Sequence, residues 1–274
     1  MVAYCLLASM ALTFGVASPS KKIRLNNDQL TFIAEKVWQN EAAGNLEYLL
    51  YWSPNESFLS LGLAHFIWYA EGNRSRYREM FPLLVDYLAG NNVRLPGWLD
   101  AKTACPWENR KAFQKAKESN TKKYQELYEL LVRTMPIQAE FIIERMQDSL
   151  RNMLSSIKNQ KEKKRLKRNY HNVLHDENGT VSIQGLYEIV DYVNFKGEGT
   201  SLKERYHGEG WGLRQVLQEM DENTENPRKA FADAAKKVLE RRIDNAPPDR
   251  NETRWKKGWF KRIDSYTAIS ADRF

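Results

Sequence analysis

The stretch that decides the reading runs from residue 28 to residue 69, DQLTFIAEKVWQNEAAGNLEYLLYWSPNESFLSLGLAHFIWY. Its first part reads as a helix over residues 28–43. Leu30, Ile33, Ala34, Val37 and Trp38 recur at i, i+3, i+4, i+7 and i+8, the spacing of one buried stripe. Asp28 is placed to cap the start and Gly44 to end it. The next position on the stripe, i+11, is Glu41. A carboxyl group continuing an apolar stripe faces protein, not bulk water. It also lies in the last helical turn, where the carbonyl ends disfavour negative charge. Burial and dipole together favour the protonated acid, and a carboxylic acid kept neutral can give its proton to a leaving oxygen. Ala42, Ala43 and Gly44 leave room beside it for a ligand.

Leu46 to Trp52, the turn-like Ser53-Pro54-Asn55-Glu56, and Ser57 to Tyr69 read as a hairpin, from their aromatic content and the Pro-Asn turn. Along the second arm Ser60, Gly62 and Ala64 share one face, while Leu59, Leu61 and Leu63 share the packing face. Beyond Tyr77 the chain reads mainly helical, most continuously over residues 121–168 with a break at Pro136. The fold class expected is therefore α+β, mainly α, with a small β-hairpin lobe and a helical lobe.

Composition narrows the function. The chain has 274 residues, is 42% hydrophobic and contains eight Trp, 13 Tyr and 11 Phe, enough for a core and too much for a disordered chain. Two Cys exclude a disulfide scaffold, and four His leave little for a metal, so no metal or cofactor is expected. Residues 4–17 are uncharged, mostly apolar and shorter than the roughly 20 residues of a membrane span. With Gly15-Val16-Ala17-Ser18 at their end they read as a signal peptide over residues 1–17, leaving 18–274 as one exported domain, secreted or periplasmic. Cys5 would leave with it, so Cys105 alone would remain.

The net charge of +7 suits an anionic surface or polymer. Seven basic residues crowd Lys158 to Arg168; a solvated helix face is the simpler reading, and no aromatic residue interleaves them as a nucleic-acid stacking surface would require. Asp176-Glu177-Asn178-Gly179 fails as a calcium loop, because position 12 would be Gly185, and reads as a turn. Two Gly-Glu-Gly triplets, at 197–199 and 208–210, lack the strand–loop–helix context of a phosphate site. Trp255, Trp259, Ile263 and Tyr266 share one helical stripe and read as core.

A helix ending in Glu, a hairpin, and then Ser60-Leu61-Gly62-Leu63-Ala64-His65 resembles the phage-type lysozyme pattern. In that pattern a catalytic Glu ends a helix and a strand reads Thr-[Ile/Val]-Gly-x-Gly-His. The stretch also resembles exported bacterial members of the same superfamily, including lysozymes of predatory bacteria that act on de-N-acetylated peptidoglycan. The match covers about 40 residues, 30–69. The resemblance implies a muramidase that cleaves β-1,4 links of peptidoglycan or a related glucosamine polymer, acts as a monomer, and binds neither nucleic acid nor, after leader removal, membrane.

Glu41 would be the general acid. Ser60 takes the Thr place, to position water or a sugar hydroxyl. Gly62 would let the sugar approach, and His65 would support the site. Two departures stand out. Ala64 replaces the second motif glycine, and Pro54 occupies the position of the family's second carboxylate. Tyr51 and Glu56 are the candidates to stand in for that acid. The stereochemical outcome follows carboxylate separation, about 5 Å for retention and about 6.5–9.5 Å for inversion, and a sequence gives neither. Gly210-Trp211-Gly212-Leu213-Arg214-Gln215-Val216 resembles the Gly-Leu-Met-Gln stretch of lytic transglycosylases and goose-type lysozymes, with Arg214 in the Met place. That raises a non-hydrolytic outcome. Trp211 becomes a candidate to stack on a sugar, Gln215 to bond an N-acetyl group or hydroxyl, and Glu198 to bind a free amine. The competing reading is a wall-glycan binder without turnover, which Pro54 favours.

Overall fold

A computed structural model describes residues 23–42, 44–73 and 77–268. The leader expected over residues 1–17 lies outside them. The chain is mainly helical with a small antiparallel sheet. Helix α1 spans Asn27–Ala42. Its cap is Asn26, not Asp28: Asn26 Oδ1 accepts from the Gln29 amide at 2.9 Å, and Gln29 Oε1 accepts from the Asn26 amide at 3.1 Å. This reciprocal pair satisfies two otherwise orphaned amides. Asp28 instead sits in the first turn, where negative charge meets the positive end of the helix. The expected stripe is buried from Leu30 to Trp38, and Gly44 follows with φ of +74°.

Strands β1 (Leu50–Tyr51), β2 (Leu59–Leu61) and β3 (Phe66–Trp68) form one antiparallel sheet in that order. Leu59, Leu61 and Leu63 are fully buried, as the alternation requires. The second arm is not one strand, however. It is cut by a turn at 62–65, in which Gly62 and His65 both take left-handed backbone (φ +66° and +50°) and the His65 amide donates to Gly62 O at 3.2 Å. A three-stranded sheet results in place of the hairpin expected.

The helical bulk comprises α2 (Phe81–Gly90), α3 (Arg110–Glu118), α4 (Lys122–Arg133), α5 (Met135–Ser155), α6 (Gln160–Leu174) and α7 (Ile183–Lys196). A short ribbon follows, β4 (Arg205–Tyr206) and β5 (Glu209–Gly210), and then α8 (Leu213–Glu219), α9 (Pro227–Asn245) and α10 (Lys256–Thr267). Pro136 lies in the first turn of α5, where its missing N–H costs nothing. A second break separates α5 from α6, with Asn159 capping α6. Asp176 Oδ1 accepts from the Asn178 and Thr180 amides, which makes 176–180 the turn expected.

Helix α7 is the axis of the molecule. Every residue from Ile183 to Tyr192 is buried, including Glu188 and Asp191. Helix α10 packs along α9 and buries Ile263 and Tyr266 completely. Trp255 departs from its expected stripe and is 51% exposed. It lies in a 3-10 turn before α10, so the helical phase that carries Ile263 inward does not apply to it. Cys105 is buried and unpaired, and burial pushes its thiol up to about 12.

Candidate functional site

Glu41 stands at the C-terminal end of α1, with its side chain 16% exposed. It faces protein as the stripe required, but its partners are charged and polar. Oε1 accepts from Arg262 at 2.6 Å and from Asn194 Nδ2 at 3.0 Å. Oε2 accepts no hydrogen bond from the described residues and lies 3.7 Å from His65 Nδ1.

Arg262 does not belong to Glu41 alone. Its Nε donates to Asp191 Oδ2 at 2.8 Å and its second nitrogen to Asp191 Oδ1 at 2.7 Å. Asp191, itself fully buried, also accepts from Tyr266 Oη at 2.6 Å and from Asn40 Nδ2 at 3.2 Å. Two carboxylates thus share one guanidinium. Burial works against the charge of Arg262, but Asp191 first and Glu41 second outweigh it, and the guanidinium is held more firmly protonated than usual. The helical spacing explains the convergence. Asp191 and Asn194 are three residues apart on α7 and therefore neighbours on one face; one reaches Arg262 and the other reaches Glu41.

His65 comes from the opposite side, on the turn between β2 and β3. Burial lowers its pKa most; Glu41 pulls it back up and Arg262 lowers it again. His65 and Asn194 both line a groove of about 470 Å³ that runs from β3 past α5 to the loop after α7. Arg145, Glu198 and Glu204 line it as well.

The other expected residues fall into three groups. Ser60 and Tyr51 are direct cross-strand partners, and Ser60 is also opposite Ile67, a groove residue. The three therefore share one face of the sheet. Tyr51 is 38% exposed with its ring against Tyr48, and it is not a partner of Glu41. Glu56 closes the 53–56 turn and accepts from Trp52 Nε1 through its carbonyl; its carboxyl is not a partner of Glu41 either.

Gly62 does not make room for a ligand. A Cβ there would lie 2.5 Å from Gln138 Oε1, so what approaches closely is the α5 side chain that fixes the turn. Trp211 and Gln215 are core residues, not sugar contacts. Trp211 is buried, with Tyr206 at 4.8 Å between ring centroids and the Arg242 guanidinium 4.0 Å over its face. Gln215 is spent on Gly212 N and Gly199 O; it holds the groove-lining loop in place. Glu198 does lie in the groove, close enough to Arg145 to favour its charge.

Asn40, Asp191, Asn194 and Arg262 were not singled out from the sequence, and Tyr266 was read there only as core. The signal for Asp191 was present, as one of two acids inside the apolar run Ile183–Val193. Among the described residues, no cluster of His, Cys, Asp or Glu could hold a metal ion.

Fold and site define a mainly helical α+β protein in which a carboxylate at a helix end meets a buried carboxylate–guanidinium pair beside a groove. In comparisons with known proteins no family model matches the chain, nor does any curated protein or solved structure.

Proposed function

We propose that the chain is an exported glycoside hydrolase cleaving β-1,4 links of bacterial peptidoglycan, including de-N-acetylated glycan, with Glu41 as proton donor. The observation that carries this reading is the unequal treatment of the two Glu41 oxygens. Arg262 and Asn194 both donate to Oε1, which suits it to remain the carbonyl oxygen. Oε2, with no hydrogen bond from the described residues and beside a groove-lining His65, is then the oxygen that would pass a proton to the leaving group. Arg262 makes two bonds to Asp191 and one to Glu41, so the same guanidinium fixes both carboxyl groups. Proton transfer to the leaving oxygen would proceed through an oxocarbenium-like transition state. Ser60 and Tyr51, on the sheet face continuous with Ile67, would orient water or sugar hydroxyls in this reading.

A second reading, a glycan-binding protein without turnover, is favoured by the Arg262 ion pair and by Pro54 at the expected acid position. Digestion of native and de-N-acetylated cell walls separates the two. Wild type is expected to release fragments, and Glu41→Gln to lose nearly all cleavage while keeping its circular dichroism. Equal turnover by both removes Glu41 from catalysis; binding without turnover by wild type supports the second reading. The end group of the product, reducing or anhydro, distinguishes hydrolysis from the transglycosylase outcome.

A further inference from the structure

A cavity larger than the groove beside Glu41 lies elsewhere in the molecule. It lies between α5 and α6, measures about 1090 Å³, and is also lined by Ile23, Arg24 and residues of the 175–181 turn. Its walls are of two kinds. Leu150 and Leu154 of α5, Tyr170 and Leu174 of α6, and Ile23 and Val181 supply an apolar floor continuous with the core. Arg24, Lys163 and Lys167 supply the charge, with Arg151, which pairs with Asp148, and His171 and His175 beside them, and among the described residues no Asp or Glu lines it.

The charged residues are ordered by helical spacing. Lys163, Lys167 and His171 succeed one another at i, i+4 and i+8 on one edge of α6, while Tyr170 and Leu174 turn inward. The basic run 158–168 is divided accordingly. Arg165 and Arg168 pair with Glu222 on the far side; Lys163 and Lys167 face the cavity. A solvated helix face would place no apolar floor beneath its lysines, and a polyanion site would need no floor at all.

We infer that this cavity binds a single-chain anionic amphiphile, its acyl chain on the Leu150–Leu154–Leu174 floor and its acidic headgroup against Lys163 and Lys167. Complementarity of charge selects the occupant: an apolar trough with a basic rim and, among the described residues, no acid fits a hydrocarbon chain ending in a carboxylate or phosphate, and rejects a cationic amphiphile of equal length. The site is independent of Glu41 and of glycan cleavage.

The test uses the fluorescent fatty acid cis-parinaric acid, titrated into the full chain and into a chain lacking residues 1–22, and displaced with palmitate or hexadecyltrimethylammonium. Expected are saturable binding by both chains, displacement by palmitate and none by the cationic surfactant. Lys163→Glu with Lys167→Glu should weaken binding by at least about tenfold, since each reversal replaces attraction to the headgroup with repulsion. Leu154→Trp, which fills the trough, should abolish it. Circular dichroism confirms that each variant is folded. Absent or non-saturable binding, or binding that neither variant changes, overturns the inference. Binding confined to the shortened chain also overturns it, and assigns the trough to the leader. A dimer that parinaric acid does not dissociate assigns the trough to a second copy, with the same consequence. Glycan cleavage by these variants should match wild type, so failure here and failure of the hydrolase reading are separate results.

Discussion

Glu41 is held from two sides, and the sides work by different physics. From the helical side come Asp191, Asn194 and Arg262, side chains 71 to 221 positions from the residues they bind. They act through buried charge. From the sheet side comes His65, whose place is fixed by backbone: a left-handed residue in a turn that begins at Gly62 and closes over Gln138. One side is rigid because two carboxylates share Arg262, whose removal would leave buried Asp191 without a counter-charge. The other is rigid because there is no space to move into.

The helical side should show the largest effect. Arg262→Met leaves Asp191 fully buried with no counter-charge, and Glu41 loses its strongest bond. Breaking a buried pair from one side costs about 3–5 kcal/mol. Urea unfolding of the variant should register a loss of that size. Combining it with Asp191→Asn should recover part of the loss, since two uncharged groups avoid most of the desolvation penalty. A loss under about 1 kcal/mol for Arg262→Met alone, small for a truly buried pair, would reduce the trio to a surface-type interaction and erase the contrast between the two sides.

The sheet side is tested by space. Gln138 cannot retreat from a Cβ at Gly62. Its Oε1 accepts from the Leu63 amide at 2.8 Å, while Nε2 donates to Leu131 O at 2.8 Å and Thr134 Oγ1 at 2.9 Å. Gly62→Ala should therefore cost about 1–3 kcal/mol from overpacking, beyond the about 1–2 kcal/mol of a non-glycine left-handed residue. Gly72→Ala is the control. Gly72 has φ of +76° but open space where the Cβ would go, so it should show the backbone penalty alone. Equal losses at the two positions would show that Gln138 does not constrain the turn.

The same division explains what the sequence made legible. Helix α1, its stripe and the placing of Glu41 at its end follow from local periodicity. So do the Leu59–Leu61–Leu63 face and the break at Pro136. These depend on residues close in sequence. The turn at 62–65 was not legible, because His is not a residue that announces left-handed backbone and the Gln138 that demands it lies 75 positions on. Trp211 and Gln215 have the same letters whether they face a sugar or fill a core, and only Tyr206, Arg242 and Gly199 decide between the two. Arg262 was the largest omission. It reads as one more exposed cation until α10 folds against α7.

The smallest effect probes both sides at once, through the titration of His65. Burial depresses its pKa below the ordinary value of 6.5, against the attraction of Glu41. For a base depressed in this way the unfolded chain binds the proton first as pH falls. The stability contributed by neutral His65 is complete above about 6.5 and declines as pH drops from there to the folded-state value. Replacing His65 by Asn, which tolerates left-handed backbone, should leave stability at pH 7.5 little changed and remove this part of the acid-side decline. The imidazole resonances of wild type should titrate below 6.5. In Glu41→Gln, where the attraction is gone but Arg262 remains, they should titrate lower still. An unchanged midpoint in Glu41→Gln would mean that the 3.7 Å approach of Oε2 to Nδ1 carries no electrostatic coupling. Glu41 would then be governed by α7 and α10 alone, and the sheet would shape the groove without acting on the acid.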